Sequence, residues 1–239
     1  MAETQYDVTG IGNAIVDVLT QADDAFIADH GLEKGAMTLI DTETAEKIYG
    51  DMGSAVEVSG GSAANTIAGL ANLGARSAYI GKVAKDQLGE VFAHDIRAAG
   101  VNFDTPPLEG DATTARSMIL VTPDAERTMQ TYLGACVELG PEDVPDELIA
   151  ASEVVYLEGY LYDPPRAKEA FLKAAKVAEA AGRKVALSLS DPFCVERYRA
   201  EFLELLEGHV NILFANEDEI TSLYQVENFD DALQHVRGH

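Results

Sequence analysis

From residue 141 onward, short apolar runs alternate with helix-like stretches, and that rhythm limits the possible folds more than any other feature of the chain. Residues 154–157, 185–189 and 212–214 read as strands without a polar face. Stretches 141–150, 165–181 and 195–207 read as the helices between them, with short helical pieces at 220–224 and 230–237 closing the chain. A strand that is apolar on both faces needs cover on both, and a helix after each strand supplies it through parallel crossovers. The first half repeats the unit twice, with a strand over 6–12 and another at 78–80 followed by a helix over 90–99. The expected class is therefore α/β, a Rossmann-like three-layer α/β/α arrangement around a mostly parallel sheet. Four β-rich runs, about 36–41, 55–59, 113–122 and 126–133, fall outside this rhythm. The last two flank Thr-Pro-Asp-Ala, a turn signal, and read as a hairpin. Together the four imply a small accessory sheet. A length of 239 residues suits one large domain with such an appendage.

The stretch Val-Glu-Val-Ser-Gly-Gly-Ser-Ala-Ala-Asn at 56–65 is the strongest candidate for a ligand site. A strand runs into Gly60 and Gly61, where no Cβ keeps a ligand from the backbone. Ser62 is placed to cap the helix over 63–73, and Asn65 stands on its first turn with a donor and an acceptor. Such a turn suits a polyhydroxylated small molecule. A tight turn with glycines present only for packing explains the same residues. Asn13 and Asp17 are polar groups in an apolar stretch after the first strand. They fit hydroxyl binding at a strand end, or simple turn capping. Gly10-x-Gly12 resembles the start of a dinucleotide fingerprint, but position 15 is Ile, so that assignment is set aside.

Asn216 and Glu219 stand three apart at a strand-to-helix junction. A carboxylate there can hold Mg²⁺ through water. The same spacing makes a capping box, which on these two residues alone is the stronger explanation. Asp191-Pro192 reads as an ordinary turn. The five histidines are scattered, and no Gly-x-x-x-x-Gly-Lys-Ser/Thr phosphate loop is present.

The formal charge of −24 argues against nucleic-acid and anionic-membrane partners, but not against a nucleotide screened by Mg²⁺. Cys136 and Cys194 lie far apart in no metal or redox spacing. Buried free thiols and a cytoplasmic location are expected. The first residues lack a secretory pattern, and no apolar run reaches the roughly 20 residues that span a bilayer.

Taken together, the blocks Gly-Ile-Gly-Asn-Ala-Ile-Val-Asp (10–17), Ser-Gly-Gly-Ser-Ala-Ala-Asn-Thr (59–66), Leu-Ser-Asp-Pro-Phe (189–193) and Asn-Glu-Asp-Glu (216–219) resemble the ribokinase-like (PfkB) carbohydrate kinases. The first and third are more similar to the adenosine-kinase branch. The resemblance implies a single ribokinase-like domain over 1–239, with the four out-of-rhythm runs as a β-sheet lid. It implies ATP-dependent phosphorylation of a primary hydroxyl, adenosine to AMP, with ATP and Mg²⁺ as cofactors. By position, Asn13, Asp17, Gly61, Ser62 and Asn65 would bind the nucleoside or sugar. Asn216 and Arg127 would meet ATP phosphates, and Glu219 the metal. Some relatives dimerise through the lid, so the resemblance allows a homodimer.

The family's Asp-Thr-x-Gly-Ala-Gly-Asp signature is absent from 1–239. The expectation is that roughly a third of the fold is missing, that the catalytic aspartate lies beyond His239, and that this piece alone does not turn over. Two other functions stay open: a sugar kinase of the ribose or ketohexose type, and a non-catalytic nucleoside- or sugar-binding protein ending near 239.

Overall fold

The computed structural model describes residues 4–236. In chain order the strands and helices are β1 (Tyr6–Ile11), β2 (Ile15–Gln21), α1 (Asp24–Asp29), β3 (Met37–Leu39), α2 (Thr42–Asp51), β4 (Val56–Gly60), α3 (Ser62–Asn72), β5 (Ser77–Ile80), α4 (Gln87–Ala98) and β6 (Val101–Asn102). They continue with β7 (Ala115–Val121), β8 (Arg127–Tyr132), α5 (Asp146–Ala150), β9 (Ser152–Glu158), α6 (Pro165–Ala180), β10 (Lys184–Ser188), α7 (Pro192–Gly208), β11 (Ile212–Phe214), α8 (Glu217–Tyr224) and α9 (Phe229–Val236).

The main sheet runs β11-β10-β9-β1-β5-β6, with every pair parallel. Its strands are apolar on both faces because both are covered. On β1 and β5, Val8 and Tyr79 join Ile67, Phe92 and Phe103 under α3 and α4. The alternate residues Ile11 and Ile80 join Phe171 and Ala174 under α6. The period of two along a strand sends neighbouring side chains into opposite layers. This is the expected α/β class.

The second sheet runs β3-β8-β7-β2-β4 and mixes parallel with antiparallel pairs. One face packs Met118 against Ala45 and Ile48 of α2. The other carries Ile15, Asp17, Ser117, Met129 and Thr131 and faces a cleft above the main sheet.

Several sequence expectations need correction. The sequence places Asn13 and Asp17 at the end of β1 and in a turn, whereas the structure runs a further strand there, β2, between β7 and β4 of the second sheet. Asp17 lies inside β2, opposite Ser117 and Val58. The helix expected over 141–150 is a 3₁₀ turn, Pro141–Asp143, then the short α5. Pro145 forces Val144 out of helical geometry, and a buried ion pair, Lys82 Nζ to Asp143 Oδ1 at 2.5 Å, holds the turn instead. α7 starts at Pro192 and α8 at Glu217, each a few residues ahead of expectation, because Asp191 and Asn216 cap them. The expected end of the last helix, Arg237, lies outside the described residues. Among those described, no helix is long and apolar enough to cross a membrane.

Candidate functional site

Three chain segments meet at the C-terminal edge of the main sheet: the 12–14 crossing from β1 to β2, the Gly60-Gly61 turn between β4 and α3, and the end of β9. Glu158, the last residue of β9, joins them. Its buried carboxylate accepts hydrogen bonds from the Asn13 backbone N–H at 2.7 Å, the Asn13 side-chain amide at 3.2 Å and the Ala63 N–H at 2.8 Å. The Ser62 hydroxyl donates to it as well. Burial pushes the Glu158 carboxyl above its ordinary range, and the four donors pull it part of the way back. From the other side, the Tyr79 hydroxyl donates to the Asn13 carbonyl at 2.8 Å. Asn13 is thereby held at both its backbone N–H and its C=O.

The turn itself depends on Gly61. Its φ is +93°, and a Cβ there would stand 2.5 Å from the Asn13 carbonyl oxygen. Gly61 is also the N-cap of α3. Ser62, expected as the cap, is the first helical residue, and its hydroxyl serves Glu158 instead. Ser62 stands one position past the cap, and its hydroxyl donates to the carboxylate, a strong charged acceptor within reach.

Asp17 lies over Gly60, where a Cβ would approach its carboxylate oxygens to 2.4 Å. Burial raises its pKa to about 6, while the Arg127 guanidinium pulls it down. Among the described residues no hydrogen bond reaches this half-buried carboxylate. Its acceptor capacity is turned into the cleft.

The cleft has a volume of about 400 Å³ and a mostly apolar lining. The second sheet supplies Met37, Leu39 and Met129 on one wall; Leu133 follows β8. Phe193, 71% exposed, stands on the α7 side. Asn13, Asp17, Ser62 and Glu158 are polar members of the lining, and Asp163, Asp191 and Arg197 are others. Asp191 caps α7 through the Cys194 N–H at 2.6 Å and is aimed by Ser190, whose φ of +73° is strained for a residue with a side chain.

Of the residues singled out in sequence, Asn13, Asp17, Gly61 and Ser62 line this cleft. Asn65 is exposed on α3 and lies outside the lining. Asn216 and Glu219 form the reciprocal capping box. The Glu219 N–H donates to Asn216 Oδ1 at 2.8 Å, and the Asn216 N–H donates to Glu219 Oε2 at 3.0 Å. The Asn216 amide also donates to Glu219 Oε1 at 2.8 Å. Burial raises the Glu219 carboxyl, which is 6% exposed. Among the described residues, no cluster of three His, Cys, Asp or Glu side chains is set to hold a metal. Glu219 thus brings one carboxylate to this end of the sheet. Arg127 is exposed at the start of β8, on the same strand face as Met129 and Thr131.

Sequence reasoning missed Glu158, Asp163 and Arg197. Glu158 carried a usable signal: a lone acid ending an apolar strand before a glycine, at the edge where open α/β sheets bind ligands. Asp163 and Arg197 had none, since their meeting depends on how α7 folds back.

The sequence pattern of the pfkB family carbohydrate kinases matches residues 35–239. Guanosine-inosine kinase from Escherichia coli (strain K12) is 27% identical over 226 residues, covering 90% of this chain and 52% of its own length. The chain spans about half the length of the curated relatives it matches first. Among solved structures, the adenosine kinase from Sinorhizobium meliloti superposes with a TM-score of 0.88 at 61% identity, covering 97% of this chain and 71% of that one. A probable sugar kinase protein from Rhizobium etli CFN 42 gives a TM-score of 0.88 at 56% identity, with 98% and 72% covered. The three-layer fold, the Gly-Gly turn locked onto Asn13 and the extent of the sequence match agree, and the chain belongs to the pfkB family of carbohydrate kinases.

Proposed function

We propose that this chain carries the acceptor site of an ATP-dependent kinase that phosphorylates the primary hydroxyl of a nucleoside, with adenosine as substrate and AMP as product. The observation that carries the proposal is Asp17. A half-buried carboxylate without a donor, in a cleft otherwise walled by apolar side chains, calls for a ligand that brings hydroxyl donors next to an apolar body. A nucleoside has both. Asn13, fixed at both backbone groups, and the bare Gly61 backbone would hold the ribose beside Asp17.

The similarity to the Sinorhizobium adenosine kinase supports the choice of nucleoside. The Rhizobium sugar kinase favours a second reading, a plain sugar as acceptor. The apolar wall of Met37, Leu39, Met129 and Phe193 argues against it, because a furanose or hexose alone would leave that wall wet.

Phosphoryl transfer rests on positioning and on charge stabilisation. The residues of this chain would supply the first by fixing the acceptor hydroxyl. For the second, Arg127 would face the phosphates, and Asn216 would present the N-terminus of α8 to them. Mg²⁺ would supply charge neutralisation at the phosphates and is commonly bound through waters and one or two carboxylates; Glu219 would be this chain's carboxylate for it, reached through water while its oxygens also accept from Asn216. The aspartate base implied by the family has no counterpart within 1–239. We therefore expect this piece to bind adenosine without turning it over.

Calorimetric titration with adenosine and with ribose tests the proposal. Adenosine is expected to bind more tightly, with Asp17→Ala losing most of the affinity. Equal or tighter binding of ribose would favour the sugar kinase. Failure of both to bind would remove the acceptor-site assignment.

A further inference from the structure

The nucleoside reading leaves one polar pair in the cleft without a task. Asp163 follows the 3₁₀ turn that ends β9, and Arg197 sits on α7, where Tyr198 breaks helical geometry with φ −123° and ψ 23°. That kink brings both α7 side chains onto Asp163. The Tyr198 hydroxyl donates to Asp163 Oδ1 at 2.5 Å, and Arg197 Nε stands 3.3 Å from the same oxygen. Arg197 Nη2 lies 3.4 Å from Oδ2. The contacts with Arg197 are long, and the two side chains stay 50% and 34% exposed, Arg197 and Asp163 respectively. Each keeps spare capacity: a carboxylate has about four acceptor positions and the guanidinium five N–H donors, more than these contacts use. As an exposed ion pair they add little to stability.

The pair therefore presents a pure acceptor beside a pure donor, both facing the cleft. Adenine offers the complementary order along its edge: an exocyclic amino donor beside a ring-nitrogen acceptor. A 6-oxopurine offers an oxygen acceptor beside an N–H donor. The ribose, held through Asn13 and Asp17, prevents the base from turning end for end, so the order of the two groups matters. We propose that Asp163 and Arg197 read the edge of the purine base, with Asp163 accepting from the 6-amino group and Arg197 donating to the adjacent ring nitrogen. This assignment rests on the nucleoside reading above. Both are specificity residues, remote from the hydroxyl that receives the phosphoryl group.

The test titrates wild type, Asp163→Asn and Arg197→Gln with adenosine, inosine and ribose, alongside melting temperatures. Wild type is expected to prefer adenosine over inosine by about tenfold, the scale on which paired hydrogen bonds discriminate bases. Asp163→Asn, whose amide both donates and accepts, should bring that ratio down to roughly twofold. Arg197→Gln should weaken adenosine by roughly fivefold, and ribose should bind all three proteins alike. An unchanged adenosine-to-inosine ratio in both variants overturns the assignment and leaves a plain surface ion pair. So does equal weakening of all three ligands. If Asp163→Asn lowers the melting temperature, Arg197→Gln decides alone. Binding of ribose with no gain for adenosine removes the base-reading pair and leaves a sugar site. Binding of none of the three removes the proposed function itself.

Discussion

Replacing Glu158 is the most informative perturbation of the site. In Glu158→Leu the volume is roughly kept, but the backbone N–H groups of Asn13 and Ala63 lose their acceptor. Each buried donor left unpaired costs about 1–3 kcal/mol, so the pair costs about 2–6 kcal/mol. Relief of a buried carboxylate offsets part of this, since burial already pushes Glu158 upward. For a chain of this size about 1 kcal/mol moves the melting temperature by about 2–4 °C, which sets the expected drop at roughly 10 °C. Glu158→Gln keeps one acceptor oxygen but turns an amide N–H₂ towards donors, so its drop should be about half as large. In both variants the 12–14 crossing and the Gly60-Gly61 turn lose their common anchor. Adenosine affinity should then fall by tenfold or more, about 1.4 kcal/mol of positioning. The assay is thermal unfolding by circular dichroism together with calorimetric titration. Melting temperatures within about 2 °C of wild type, with unchanged affinity, would refute the view that Glu158 holds the site together.

Other consequences follow from the same geometry. Asp17 has a pKa raised to about 6 from 3.8, so it counts against the fold when ionised; its contribution is fully favourable below about 3.8 and lost as pH rises through 6. Ligand-free wild type should gain stability between pH 7 and 5 relative to Asp17→Asn, and adenosine affinity should fall over the same interval in wild type alone, read by thermal melts and titrations at each pH. Gly61→Ala places a Cβ 2.5 Å from the Asn13 carbonyl at φ +93°, for a loss of about 2–3 kcal/mol in urea unfolding. Gly53→Ala, where an added Cβ meets nothing, should stay within about 1 kcal/mol of wild type. Asn216→Ala removes one side of a reciprocal cap and should cost about 1–2 kcal/mol in the same assay, whatever its part in phosphate binding.

Glycines and caps made part of this site legible in the sequence. Gly60 and Gly61 mark a turn that only bare backbone can make, and Asn216 with Glu219 spell a capping box that the structure contains in both directions. The alternation after residue 141 announced a parallel sheet because each strand lacks a polar face. β2 was hidden because its run, Ile-Val-Asp-Val-Leu, has a carboxylate where an apolar residue would have completed the pattern. That carboxylate lies on the cleft side of the second sheet. Glu158 was hidden for a different reason. Its partners are 95–145 residues away, and only the pairing of β9 with β1 brings them together. Arg197 and Asp163 depend on a kink at Tyr198 that no residue in the helix signals, since neither proline nor glycine stands there.

A crystal structure of the chain grown with adenosine is the most direct test. Ribose hydroxyls are expected within hydrogen-bond distance of the Asp17 carboxylate and Asn13, with the base between Leu39 and Phe193 and its amino group on Asp163. Adenosine found elsewhere on the molecule, or in the cleft with its ribose turned away from Asp17, would contradict the acceptor-site assignment.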